Sequence, residues 1–132
     1  MSRNVKPRWA ASPSEHDYPS AASYLRLLAT PGEVDVLIAL LKNAPTVRQR
    51  VKDIVRAARL PLLPADDPEV AKDLKRVAKG VDLSPILLVR GELASGVALQ
   101  VADGYHRVCA SYHLSEDAEI PCRLVALPLI KV

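Results

Sequence analysis

The hydrophobic positions in the first 80 residues recur at the spacing of an α-helix. After the tetrapeptide TPGE at 30–33, an apolar stripe recurs every three or four residues, at Val34, Leu37, Ile38 and Leu41. The tetrapeptide itself has the pattern of a capping box, with proline at the first helical position. Thr46 with Gln49, and Asp67 with Pro68, predict the starts of two further helices. This half of the chain is therefore predicted to be helical.

The period of the hydrophobic pattern changes after Gly80. SPILLVRG at 84–91 and VALQVADG at 97–104 are typical of two strands joined by a loop rich in glycine and serine. YHRVCASYHL predicts a short helix, and IPCRLVALPLI predicts a last strand that begins near a proline. The buried face of the helix is expected to carry Tyr105, Val108, Cys109 and Tyr112. The C-terminal half is thus predicted to run strand, strand, helix, strand, and the fold class to be α+β, or α/β.

The N-terminal residues differ from the rest of the chain. Residues 1–17 are polar, contain prolines and show no period, which predicts an extended arm that Trp9 docks onto the body. Residues 18–132 are expected to form a single domain, because a chain of 132 residues is long enough for one core but hardly for two.

Composition and charge narrow the class of protein. With no Phe and only 4% aromatic residues, the core must be aliphatic. A net charge of +3 is too small to indicate nucleic-acid binding by itself. No apolar run approaches the roughly 20 residues needed to cross a bilayer, so no membrane association is expected. Cys109 and Cys122 lie in no CxxC pair and follow no signal-like start, which predicts packed free thiols in a cytoplasmic protein.

One short segment combines the residue types of a phosphate site. In DGYHR at 103–107, here called the junction, the strand ends and the helix begins, so the first helical N–H groups lack internal acceptors. Gly104 lets a phosphate approach the backbone, and His106 and Arg107 add donors. Asp103 suggests a ligand for Mg²⁺, or a base for an attacking hydroxyl. A simpler structure also fits, in which Asp103 caps the helix and the charges are solvated.

The surrounding sequence resembles the ParB/sulfiredoxin-like superfamily. The resemblance covers residues 60–126 and rests on the order of the elements, the DGYHR junction and the segment IPCRLV at 120–125. It implies that 60–126 form the family-like core, that 18–59 are a helical extension, and that the junction binds the phosphates of ATP or CTP. Carried over residue by residue, it implies phosphate-binding roles for Gly104, His106 and Arg107, with Lys72 on the preceding helix as a further contact. Asp103 and His106 are the candidate catalytic residues, and Tyr105, within the junction, completes the candidate nucleotide-binding set.

Departures from the family patterns narrow the expected activity. Sulfiredoxins have a catalytic cysteine directly before the His-Arg pair, where this chain has Tyr105, and Cys109 lies a full turn further along. Reduction of a sulfinic acid is therefore not expected. ParB partition proteins continue into a helix-turn-helix domain, which we do not expect in this chain. The junction is more similar to the DGHHR of free-serine kinases, in which it handles nucleotide phosphates.

The expected function is that of a cytoplasmic nucleotide-binding protein. With ATP or CTP and Mg²⁺, it would be a phosphotransferase for an unknown small-molecule acceptor, or a nucleotide hydrolase. A non-catalytic module that senses nucleotide or binds a partner stays open. A ParB-like association with DNA through the basic residues of 47–79 also stays open, but solvated helix charges with partners one turn away explain those residues as well.

The other polar clusters have structural explanations. Asp66 and Asp67 are predicted first as a helix cap and only second as catalytic acids. His113 is predicted to lie at the surface. The arm ends in a compact polar triplet, which consists of Glu15, His16 and Asp17. The triplet is able to supply a base or a metal ligand, and a disordered arm explains it equally well.

Overall fold

The computed structural model describes residues 6–128, which form five helices and one four-stranded mixed sheet. The fold is α+β, as predicted. The helices are α1 (Asp17–Leu25), α2 (Pro31–Asn43), α3 (Val51–Ala58), α4 (Pro68–Ala78) and α5 (Tyr105–Leu114). The strands are β1 (Val47–Arg50), β2 (Ile86–Val89), β3 (Gln100–Asp103) and β4 (Glu119–Val125). Among the described residues, no helix combines the length and the apolar character needed to span a bilayer.

The sheet has the order β1-β4-β2-β3 and is covered by helices on both faces. The two central strands, β2 and β4, are parallel, and each edge strand is antiparallel to its neighbour. Alternate residues of β2 enter two different cores. Leu87 and Val89 pack with α1 and α2, whereas Ile86 and Leu88 pack with α3 and α5. This double burial explains the unbroken apolar run of β2, since a strand covered on both faces needs no polar alternation.

The prediction of a helix that begins at Thr46 and Gln49 is wrong. Residues 47–50 form the edge strand β1 instead, and α3 begins only at Val51. Val47 pairs with Cys122, and the strand takes its hydrogen-bonding partners from β4. The local sequence fits a helix start, but pairing with a strand from the far end of the chain overrides that preference.

The described part of the predicted arm is docked on the domain. The backbone N–H of Ala10 donates to the carbonyl of Leu83 at 2.8 Å, and the N–H of Leu83 donates to the carbonyl of Arg8 at 2.7 Å. Trp9 packs against the core between α3 and α5, in line with the docking role expected for it. Asp17, the last residue of the predicted arm, already belongs to α1. Residues 1–5 of the predicted arm lie outside the described residues.

Two helix starts predicted from the sequence are confirmed. At the start of α2, the N–H of Glu33 donates to Thr30 Oγ1 at 3.2 Å, and the N–H of Thr30 donates to Glu33 Oε1 at 2.9 Å. At the start of α4, Asp67 Oδ2 accepts from the N–H groups of Glu69 and Val70 at 3.1 and 3.2 Å. The second cap matters for the site because α4 packs against α5.

Replacing the cap of α4 is expected to destabilise the protein modestly. Asp67→Ala removes the acceptor of two helix N–H groups, so the free energy of unfolding should fall by about 1 kcal/mol in urea titrations. Asp66→Ala is the matched control, and its effect should stay below about 0.5 kcal/mol because its neighbour carries the cap. Equal losses for the two variants would contradict the assignment of the cap.

The buried face of α5 is broader than the sequence predicts. Val108 and Cys109 are buried as expected, while Tyr105 and Tyr112 are only half-buried. Ala110 and Ser111 are buried although the pattern did not mark them. The reason is that α5 is covered on two sides, by the sheet with α3 and by α4, so its buried face extends beyond a single stripe.

Candidate functional site

The junction lies where edge strand β3 ends and α5 begins. Gly104 is the N-cap residue of α5, with a φ of 109°, and no side chain of the described residues caps the helix. Asp103 therefore does not have the capping role that the simpler expectation gave it. Without a side-chain cap, the first N–H groups of α5 present the positive end of the helix dipole, which favours an anion.

The side chain of Arg107 turns back from α5 toward the strand. Its Nη2 donates to Asp103 Oδ2 at 2.8 Å and lies 3.9 Å from Asp17 Oδ2. The exposed fractions of the three side chains are 17% for Arg107, 14% for Asp103 and 12% for Asp17. These charges are therefore not solvated, and one guanidinium is bracketed by two carboxylates. We call these three residues the charge cluster.

Asp17 is the first residue of α1, and its side chain reaches the charge cluster from there. Its Oδ2 accepts from the N–H of Ser14 at 3.1 Å and from the hydroxyl of Ser84 at 2.5 Å. These bonds tie the N-terminal segment to the segment that leads into β2. Of the polar triplet at 15–17, the structure thus brings one member to the junction, although the sequence gave no signal that paired it with Arg107.

The guanidinium of Arg107 lies directly against Gly104. A Cβ atom at Gly104 would lie 2.8 Å from Arg107 Nη2 and 2.7 Å from Ile86 Cδ1. Glycine is required there for this close approach and for the positive φ. A phosphate can reach the Gly104 backbone on this side only if the guanidinium moves.

The pKa of the Asp103 carboxyl group is shifted from its ordinary value. Burial raises the pKa of Asp103, and the negative charge of Asp17 raises it further. The ion pair with Arg107 opposes the rise only in part. The rise makes this carboxylate a stronger base than an ordinary aspartate, which is the direction that favours accepting a proton during a reaction.

One donor of the charge cluster has no acceptor. Arg107 Nε is buried and makes no hydrogen bond within residues 6–128. A buried N–H without a partner costs on the order of 1–3 kcal/mol, and more when the group is charged. The junction therefore offers an unsatisfied cationic donor next to an uncapped helix start.

Tyr105 and His106 occupy the first turn of α5. The Tyr105 hydroxyl donates to the carbonyl of Pro61, which anchors the connector in front of α4, and burial raises the pKa of this hydroxyl. Tyr105 thereby has a structural role besides the phosphate contact expected for it. His106 is half-buried, with its ring centroid 5.5 Å from that of Tyr105. Of these two side chains, His106 is the better placed to meet a ligand at the helix start.

The remaining candidates make contacts away from the junction. Lys72 Nζ lies 3.5 Å from Glu69 Oε1 on its own helix. His113 Nε2 lies 2.7 Å from the carbonyl of Leu63. Cys109 and Cys122 are buried free cysteines, and burial raises the pKa of both thiols, to about 11 for Cys122. The cysteines therefore pack in the core as expected, and a neutral buried thiol is a poor nucleophile.

The charge cluster supplies two carboxylates for a cation. Over residues 6–128, no group of three or more His, Cys, Asp or Glu side chains is arranged to hold a metal ion. Mg²⁺ keeps several waters and binds through one or two carboxylates together with substrate phosphates. Asp103 and Asp17 fit that donor set better than they fit a site built wholly from protein ligands.

Several basic residues of 47–79 are paired with carboxylates, which lowers the charge available to a nucleic acid. Arg76 Nη1 lies 2.7 Å from Asp73 Oδ1, and Lys52 Nζ lies 2.7 Å from Asp117 Oδ1. Further pairs in the same region are Arg56 with Asp53 and Lys72 with Glu69. Three of these carboxylates belong to the segment itself, so it is the pair with Asp117 that lowers the attraction for phosphate backbones below what the composition of the segment indicates.

No protein-family model, no curated protein and no solved structure matches the chain significantly. The geometry of the junction is therefore the basis on which a function is proposed.

Proposed function

We propose that the protein binds the phosphate groups of a nucleotide, ATP or CTP, with Mg²⁺ at the N-terminus of α5. The observation that carries the proposal is the buried, unsatisfied Nε–H of Arg107 beside a helix start that no side chain caps. A phosphate oxygen is an acceptor for both the guanidinium and the helix N–H groups. This junction thus combines positive donors of two independent kinds.

Nucleotide binding is proposed to exchange the partners of Arg107. In the free protein its Nη2 pairs with Asp103 and fills the space beside Gly104. Phosphate competes for the same guanidinium because arginine forms bidentate, charge-assisted hydrogen bonds with it. Movement of Arg107 onto the phosphate opens the approach to Gly104 and releases the carboxylate of Asp103.

The released carboxylate gives the site its chemistry. Asp103 either binds Mg²⁺ together with the phosphates or accepts the proton of an acceptor hydroxyl, a role for which its raised pKa suits it. His106 donates to a phosphate oxygen from the first turn of α5. The reaction class is phosphoryl transfer to a small molecule or to water. Buried free thiols are consistent with a cytoplasmic location.

His106 is expected to contribute to nucleotide affinity but not to folding. In isothermal titration with ATP or CTP and Mg²⁺, His106→Ala should weaken binding about tenfold, the effect of one lost charged or polar contact. Its free energy of unfolding should change by less than about 0.5 kcal/mol, because the side chain is only half-buried. His113→Ala, two turns along α5, should keep the wild-type affinity. Absence of binding by the wild type up to millimolar nucleotide would contradict the proposal.

A non-catalytic role is favoured by one observation, namely that two carboxylates already neutralise Arg107 in the free protein. In a module that senses nucleotide, the exchange of partners by Arg107 would change the contact between α1 and α5 and need no chemistry. The two functions differ in turnover, which ³¹P NMR follows directly. Binding of ATP without release of phosphate, in the presence of Mg²⁺ and candidate hydroxyl acceptors, would favour the sensing role.

A further inference from the structure

A second concave site lies at the opposite end of α5 from the junction. It is a cavity of about 710 Å³, here called the distal cavity. Its wall combines the end of α5, the start of β4, strand β1 and the docked N-terminal segment. The volume falls within the roughly 300–1,000 Å³ typical of small-molecule sites. No residue of the junction contributes to its wall, and a ten-residue helix spans about 15 Å, so the two sites are separate.

The wall of the distal cavity contains a buried hydroxyl without a partner. Ser111 is 2% exposed, and its Oγ makes no hydrogen bond within residues 6–128. A serine in a helix can donate to the carbonyl one turn earlier, but Ser111 does not do so here. Buried polar groups without partners are rare in folded proteins, and each calls for a physical explanation. A ligand that hydrogen-bonds this hydroxyl would supply one.

The charges around the distal cavity favour an anion. Arg48 and Lys6 lie in its wall, and Arg48 uses its Nη2 to donate to the Glu119 carbonyl at 2.8 Å. Two carboxylates also lie in the wall, those of Asp117 and Glu119. Asp117 is paired with Lys52 at 2.7 Å, which lowers the pKa of this carboxyl and neutralises its charge. The wall therefore carries two cationic side chains, those of Arg48 and Lys6. Only one of its carboxylates, that of Glu119, lacks an ion pair within residues 6–128.

Apart from Ser115, the remaining wall of the distal cavity is apolar. It includes Trp9, Leu114 and Ile120. Trp9 is the single tryptophan of the chain, and its half-buried side chain is fixed by packing against the core. An indole ring offers a flat apolar surface against which another ring can stack.

We infer that the distal cavity binds a small amphipathic anion. Its apolar ring packs against Trp9, its acidic group reaches Arg48 and Lys6, and the Ser111 hydroxyl donates to it or accepts from it. The distal cavity is separate from the site proposed at the junction, and neither site requires the other. The inference explains in one step the unpartnered hydroxyl, the cationic side of the wall and its apolar remainder.

Two naphthalene dyes that differ only by a sulfonate group test the inference on the full chain. 1-Anilinonaphthalene-8-sulfonate carries an acidic group, and N-phenyl-1-naphthylamine is the same ring system without it. Energy transfer from Trp9 to the bound dye reports binding, and the variants described below locate the dye in the distal cavity. We expect the sulfonate to bind about tenfold more tightly than the uncharged dye, as one charge-assisted contact provides. Equal affinities, or the absence of energy transfer from Trp9, would overturn the inference.

Three variants locate the dye in the distal cavity. Arg48→Ala should remove the preference for the sulfonate, whereas Arg50→Ala, on the same strand but outside the wall, should keep it. Ser111→Ala should weaken sulfonate binding several-fold without lowering the thermal midpoint, because it deletes a hydroxyl that has no partner among residues 6–128. Equal effects of Arg48→Ala and Arg50→Ala would overturn the inference, as would unchanged sulfonate affinity in Ser111→Ala.

Discussion

Arg107→Ala is expected to lower the free energy of unfolding at pH 7 by about 3 kcal/mol, because it leaves two buried carboxylates without their cation. Chemical denaturation in urea measures the loss. Arg56→Ala is the matched control, since Arg56 also pairs with an aspartate one helical turn away, Asp53, but on the surface. An exposed ion pair contributes less than about 1 kcal/mol, so the control should stay close to the wild type.

The loss in Arg107→Ala should depend on pH with a defined sign. The pKa of Asp103 is raised in the folded protein, so protonated Asp103 favours folding at low pH, and this contribution disappears as the pH rises through the folded pKa. Without Arg107 the pKa rises further, because the ion pair that opposed the rise is gone. The variant should therefore lie closer to the wild type at pH 4 than at pH 7. A loss that is equal at both pH values, or no greater than that of Arg56→Ala, would contradict the charge cluster.

Gly104→Ala is expected to cost a similar amount, about 3 kcal/mol, for two reasons. A φ of 109° is strained for any residue with a Cβ, and that Cβ would lie 2.7 Å from Ile86 Cδ1 and 2.8 Å from Arg107 Nη2. Gly80→Ala separates backbone strain from steric overlap. Gly80 has a φ of 73°, but none of the described atoms lies within 4 Å of the added Cβ. Its loss should be about 1 kcal/mol, from backbone strain alone.

The comparison of the two glycines also tests how firmly Arg107 is held. If the guanidinium is fixed by the two carboxylates, Gly104→Ala must break the ion pair or distort the junction, and its cost exceeds that of Gly80→Ala. Equal losses in urea titrations would mean that the Arg107 guanidinium and the Ile86 side chain both move aside freely. The same displacement should weaken nucleotide binding in Gly104→Ala, while Gly80→Ala keeps the wild-type affinity.

The elements that depend on local chemistry could be predicted from the sequence. The caps at Thr30 and Asp67 act within one turn, so the residues that make them are neighbours in the chain. The strand pair before α5 and the start of α5 at Gly104 could also be predicted, because the period of the hydrophobic pattern changes sharply there. Strand β1 could not be predicted, since it forms by pairing with β4, a strand at the far end of the chain.

The candidate site was predictable in part for the same reason. Asp103 and Arg107 stand four residues apart, and their pairing is a local property of the turn between β3 and α5. Asp17 reaches them through the packing of α1 against β3, which no spacing in the sequence indicates. The burial that raises the pKa of Asp103 is likewise a property of the assembled layers. Lys72, assigned through the family resemblance, pairs with Glu69 on its own helix.

The most direct test of the proposed phosphate site is a ¹H–¹⁵N NMR titration of the full chain with ATP in the presence of Mg²⁺. The backbone amide signals of 104–107 and the Nε–Hε signal of Arg107 are expected to shift together and saturate. The Trp9 indole and Ser111 amide signals, which report on the distal cavity, should stay unchanged. Unshifted signals of 104–107 at millimolar ATP would contradict nucleotide binding at the junction, as would shifts confined to Trp9 and Ser111.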